Sequence, residues 1–211
     1  MLQPSSHQHI ASISRIARHE IAHHVAATAM GFSTSKVTLK FSETGHHGQS
    51  HINLHETCST LEEVVQYAKR RMIVLMAGSI GEALSESEVR INLEEAGRVF
   101  MGPNTGTDAD KACTHEWMQM IHNIMRPENQ TTGDVLNSLW NQAIAVIYLN
   151  SDIILELTKA LVATISKHAD QFSLELTTTQ IDSILNGRSI PRLDNSLETI
   201  CETATAKFGA Y

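Results

Sequence analysis

The chain is short of cysteine, proline and aromatic side chains: 3 Cys, 4 Pro and 5% Phe, Trp and Tyr in 211 residues. Cys58, Cys113 and Cys201 are far apart and odd in number, and no CxxC pair exists. That argues against a thiolate zinc site or a disulfide framework, and a reducing, cytoplasmic setting is expected. Long hydrophobic runs are also missing. The longest, Ala143 to Leu149, falls far short of the roughly 18 apolar residues a membrane helix needs, so no membrane segment is expected. Met1 to His9 is polar and has no apolar core of a secretory signal. Positive charge is sparse: 16 Lys and Arg stand against 23 Asp and Glu, for a net charge of -7 with no long basic run. The footprint of a nucleic-acid binder is therefore absent.

What is present is ordinary globular material. Hydrophobic residues make up 42% and charged residues 18%, enough for a core that needs no disulfide or metal staple. A single domain over 1–211 is expected, with 1–10 and about 188–211 as loosely held tails. The periodicities predict a mainly α fold. A helix capped by Ser12 or Ser14 runs to about Met30, where Gly31 stops it. Val37, Leu39 and Phe41 alternate in a strand, Gly45 to Gly48 reads as a turn, and Gln49 to Leu54 as a second strand. Together these predict a β-hairpin or short sheet beside the first helix. Ser59 and Glu62 have capping-box spacing before a helix to about Leu84. Residues 85–104 read as irregular, and a helix follows through about Ile124. Thr132 to Leu149 and Ile153 to Lys167 predict a C-terminal helical hairpin, and a short helix ends near Leu185.

Histidine is the abundant residue, with 12 in the chain, grouped at 19–24, 46–55 and 115–122. His19 and His23 stand four apart on the first helix, so both imidazoles share a face one turn apart and can reach one metal ion. Neutral imidazole is a good zinc ligand, and Glu20 beside the pair is placed to act as general base on water that a bound zinc acidifies. A catalytic zinc needs a third protein ligand. Position 29 is Ala, so a third His six residues after His23 is absent. Glu43 lies in the predicted hairpin turn and is poorly placed. From pattern alone, Asp108 or Asp110 is the best local candidate.

The run from Arg18 to Ala27 (RHEIAHHVAA) resembles the HEAGHA helix of the FtsH-type ATP-dependent zinc metalloproteases. The strand starting at Lys36 (KVTL), the run Met76 to Leu84 (MAGSIGEAL) and the run Asn104 to Asp110 (NTGTDAD) are similar to that family's first strand, AGRAAEEL helix and TGAxxD segment. The likeness covers about residues 15–187 in the family's order. It implies a helical peptidase domain that binds one zinc ion through His19, His23 and Asp110, with Glu20 as the base. Glu82 matches a family glutamate, as a partner orienting the site or as a structural acid. The resemblance also implies an edge strand, here Gly48, Gln49, Ser50, His51 and Ile52, to which a polypeptide substrate adds as a further strand. It implies self-association as a hexamer, and delivery of substrate by a separate ATPase, since no Walker A motif occurs within these residues. Three departures stand out. Ala22 replaces the family's Gly, the spacing from Asp110 to the next Thr is one residue shorter, and the segment between Leu84 and Thr105 is longer.

The expected function is zinc-dependent endopeptidase action on unfolded or flexible polypeptide. The rivals are a non-catalytic binding or assembly module of the same shape and a zinc hydrolase of small amides. His46, His47, His51 and His55 offer a second metal site, but His51 and His55 would lie about 13 Å apart on a strand, so a solvated loop flanking the cleft is expected. His115 and His122 compete with Asp110 for the metal or sit at the surface. Trp117, Trp140, Met118, Met120 and Met125 are expected in the core or at an interface, and Cys113 is expected to be buried and inert.

Overall fold

Local side-chain chemistry sets where several of the helices begin. The computed structural model describes residues 6–42, 45–87, 89–103, 105–125, 131–168, 171–194 and 199–208. Helix α1 spans Ser6–Ala29. Its end is a Schellman turn: Gly31 takes φ of +84°, its N–H reaches the Thr28 carbonyl, and Phe32 N–H reaches the Ala27 carbonyl. Strands β1 (Ser33–Ser42) and β2 (Gly45–Asn53) follow. Helix α2 (Leu61–Glu82) opens with a capping box of Thr60 and Glu63, one residue later than the Ser59–Glu62 pair expected from sequence. The Glu63 carboxylate also accepts the Ser59 N–H, which ties that residue outside the helix.

The remaining elements are α3 (Leu93–Met101), α4 (Asp108–Met125), α5 (Thr132–Leu149), α6 (Ser151–Ala163), β3 (Ser166–His168), β4 (Gln171–Leu176), α7 (Thr178–Leu185) and α8 (Ile200–Phe208). Capping boxes start α5 (Thr131 and Asp134) and α7 (Thr177 and Gln180). The molecule is thus mainly helical with a small antiparallel sheet, as the periodicities predict.

The sheet has the order β2-β1-β4-β3, with every neighbour antiparallel. Central β1 buries Val37, Leu39 and Phe41, and Leu39 stands between Gly48 of β2 and Leu174 of β4. The sheet packs on α1, which is enclosed on its other sides by α2 and α6. Ala17, Ile21, Ala22, Val25, Ala26 and Ala27 are fully buried in this position. Their small average size lets three layers approach one helix.

Several elements differ from expectation. Gly45 to Gly48 is strand, because β2 pairs with β1 as far as Ser42↔Gly45. Glu43, expected in the hairpin turn, lies outside the described residues, as does Asn104. The stretch expected to be irregular contains α3, held by an Asn92 cap and by burial of Ala96, Val99 and Phe100. Helix α6 ends at Ala163, and the chain after it returns as β3 and β4, a hairpin the sequence reading passes over. The C-terminal region is not simply a loose tail. Helix α8 packs against α5 and buries Ile200 and Ala204. Trp117 and Trp140 pack on Tyr67 and Phe100 as expected of core residues, whereas Cys113 is exposed rather than buried. Among the described residues no helix is long and apolar enough to cross a membrane.

Candidate metal centre

Three elements converge where α1 passes beneath β2. His19, Glu20 and His23 come from the buried middle of α1, and Asp110 comes from the first turn of α4. Gly106, with φ of +88°, turns the chain into α4. The buried Thr107 hydroxyl donates to the Val99 carbonyl (2.8 Å) and so ties the start of α4 to the end of α3. That anchor aims Asp110 at the histidines. His19 Nε2 and His23 Nε2 lie 3.0 Å apart, and Asp110 Oδ2 stands 3.2 Å from His23 Nε2 and 3.7 Å from His19 Nε2. These three residues form a group able to hold a metal ion.

The far side of each ring fixes which nitrogen is free. His23 Nδ1 is 2.7 Å from the Val74 carbonyl of α2, which can only accept, so Nδ1 carries the proton and Nε2 presents a lone pair. His19 Nδ1 is 2.9 Å from Glu82 Oε1, and the same logic bares its Nε2. Glu82 thus holds the His19 ring and is itself held by Arg15 at 3.3 Å. Two bare imidazole nitrogens and a carboxylate oxygen facing one another repel unless a cation lies between them. Ligand atoms around a tetrahedral zinc ion at ordinary bond lengths stand about 3.3 Å apart, and the observed separations bracket that value. The residues therefore fit a zinc ion in donor type, tautomer and spacing.

The electrostatics agree. Burial works against charge on His19, yet its contacts with Asp110 and Glu82 and the nearby Glu20 carry its pKa up to about 10. Burial likewise opposes charge on Asp110, but the two histidines hold its carboxyl well below the usual carboxylate range. The pocket is one of negative potential that takes up positive charge, and a dication answers it more fully than a proton.

Glycines make the approach possible. A Cβ on Gly78 of α2 would lie 2.6 Å from His19 Cε1 and Nε2 and would collide with His23 Nε2. One turn on, a Cβ on Gly81 would strike the Ala22 methyl. Gly48 of β2 lies over Glu20, and any side chain there would meet its carboxylate. Glu20 has no hydrogen-bond partner among the described residues, so its carboxylate is free to exchange a proton with a ligand in the cleft. The cleft measures about 480 Å³ and is lined by the four site residues together with His46, His47, Ser50, Ile52 and Arg71.

Asp108 is exposed and pairs with Lys111 at 3.6 Å, away from the centre. Ser50 and Ile52 line the cleft, whereas Gln49 and His51 line only the adjoining groove. His51 Nε2 is 3.4 Å from the Thr38 hydroxyl, His55 is exposed, and no second metal-binding group occurs among the described residues. His115 is exposed and His122 half-buried, and neither joins the metal-binding group. Sequence reasoning overlooked Gly78, Arg15 and the Val74 carbonyl. Gly78 and Gly81, three apart inside an apolar helix, were a readable sign of close helix packing. The carbonyl leaves no sequence signal at all. No family model matches the chain, and no match is found among curated proteins.

Proposed function

We propose that the chain is a zinc-dependent metallopeptidase acting on unfolded or flexible polypeptide. The observation that carries this reading is the convergence of His19, His23 and Asp110, with an unpartnered Glu20, in one cleft beneath an edge strand. A bound zinc ion would supply a Lewis acid for the scissile carbonyl and would acidify water. Glu20 takes a proton from the attacking water and returns it to the leaving amine. Glu82 and the Val74 carbonyl hold the two ligand imidazoles in the tautomer and orientation this requires. β2 is the outer strand of the sheet, so an extended peptide can pair with its backbone along Gly48 to Ile52 without regard to side-chain identity. This open edge favours peptide over a small amide, which a closed pocket would suit better. The resemblance to the FtsH-type peptidases supports the same chemistry. It extends the proposal to self-association and to delivery of folded substrates by a separate ATPase, and the sparse, unpaired cysteines extend it to a reducing, cytoplasmic setting.

The test is zinc content per chain in the wild type and in His23→Ala and Asp110→Ala, alongside cleavage of unfolded casein by wild type and Glu20→Gln. The expected result is about one zinc per chain that falls in both ligand variants, with cleavage lost in Glu20→Gln while zinc is retained. Zinc without cleavage would favour the binding-module rival. A chain that takes up no zinc after reconstitution refutes the proposal.

A further inference from the structure

The metal cleft does not end at the metal. A second cavity of about 580 Å³ continues from it along β1 and β2, lined by Ser33 to Ser35 and Gln49 to Leu54. Ser50, Ile52 and Arg71 line both cavities, so Arg71 stands at their junction. Its surroundings are unusual for an arginine. Arg15, Arg18 and Arg70 pair with Glu82, Glu86 and Glu56. Among the described residues Arg71 is the one partly buried arginine with neither a hydrogen bond nor an ion pair. Burial pulls its guanidinium below the ordinary arginine value, with the charge of Asp110 opposing. A desolvated cation without a partner is costly, and the cost is recovered when an anion arrives. Asp110 is committed to the two histidines, and the other polar group at the junction, the Ser50 hydroxyl, is also buried without a partner.

We infer that Arg71 is a specificity-determining residue that binds a carboxylate of the peptide, either its C-terminus or an acidic side chain, at the junction of the metal cleft and the β2 groove. The inference rests on the peptidase reading for its substrate class. A planar guanidinium matches a carboxylate through two parallel N–H···O bonds, which a neutral amide cannot reproduce. A peptide paired along β2 passes this junction as it leaves the metal. Its carboxylate would then fix how far the scissile bond lies from the anchored end.

The test measures binding without turnover. Zinc-loaded Glu20→Gln protein is titrated into a peptide with a neutral fluorophore and no acidic residue, in three forms: C-terminal amide, free C-terminal acid, and amide with one internal Glu. The expected result is that one or both carboxylate forms bind about 10-fold more tightly than the plain amide. The form that gains identifies the source of the carboxylate. Arg71→Met in the same background should remove the difference. Should Arg71→Met not fold, Arg71→Lys keeps the charge without the fork and should cut the preference severalfold. Equal binding of all three forms, or a preference unaltered by either substitution, overturns the inference. Casein cleavage by the wild type separates the two claims. Cleavage without carboxylate preference overturns the role of Arg71 alone. Arg71-dependent binding without cleavage supports that role and overturns the peptidase reading. Absence of binding to any form overturns the inference.

Discussion

Gly78→Ala adds a single methyl group, and the structure gives its effect a direction and a size. The new Cβ would sit 2.6 Å from His19 Cε1 and Nε2, against an ordinary separation of about 3.5 Å for such atoms. Relief requires the imidazole or α2 to move by about 1 Å. A metal site tolerates displacements of only about 0.2 Å before its bonds suffer. His19 cannot retreat freely, because its Nδ1 is held by Glu82 and the ring lies on buried α1. Zinc affinity should therefore fall by about 100-fold or more, at the upper end of what loss of a supporting contact does. Stability alone would mislead, since Ala is a better helix former than Gly by about 1 kcal/mol and offsets part of the crowding. The assay is zinc affinity by competition with a chromophoric chelator. Gly97→Ala serves as the control. Gly97 is also helical, but nothing lies within 4 Å of its added Cβ, and that variant should bind zinc like the wild type. Zinc affinity in Gly78→Ala within threefold of wild type would refute the claim that this close approach shapes the centre.

Glu82→Gln keeps the shape but removes the charge that holds the His19 proton on Nδ1, so zinc affinity should fall about 10- to 100-fold in the same competition assay. His24 is buried with Nδ1 unpartnered, and burial lowers its pKa from 6.5 to about 4. The unfolded chain takes up that proton first, so the contribution is complete above pH 6.5. It is lost as pH falls toward 4, by about 3 kcal/mol. Denaturant titrations of metal-free wild type and His24→Leu across this window should diverge by that amount, and parallel curves would count against it. Gly81→Ala drives a methyl against Ala22 and should cost about 1–3 kcal/mol. Adding Ala22→Gly should restore part of the loss, whereas simple additivity in the four-member cycle would show that the two positions do not touch.

Much of the fold was legible because burial here follows period. Val37, Leu39 and Phe41 alternate and are buried in β1, and the stripes of α1, α2, α5 and α6 read at helical spacing. Phe172, Leu174 and Leu176 carry the same alternation, and Leu174 and Leu176 are almost completely buried, yet this strand was missed. It is short, and it follows an apolar helix whose pattern continues only if one ignores the stop at Thr164, the C-cap of α6. Helix α8 was illegible for a different reason. Its nine residues bury only a narrow stripe, and that stripe exists because α5 is there to receive it.

The site divides along the same line. Four residues apart on a helix is local geometry, so His19 and His23 follow from spacing alone. The proposed third ligand lies 87 residues beyond His23, and pattern left Asp108 and Asp110 both open. What separates them is a half-turn of helical phase, set by the Thr107 hydroxyl on the Val99 carbonyl, which only the assembled chain provides. Ala22 makes the same point. In the resembled family a Gly stands at this position, and a methyl there raises the question of how α2 can come close enough for Val74 and Glu82 to hold the ligand rings. The structure answers it from the other helix, because Gly81 gives back the space that Ala22 takes. Close contact between two helices constrains the sum of two side chains and leaves either one free to vary.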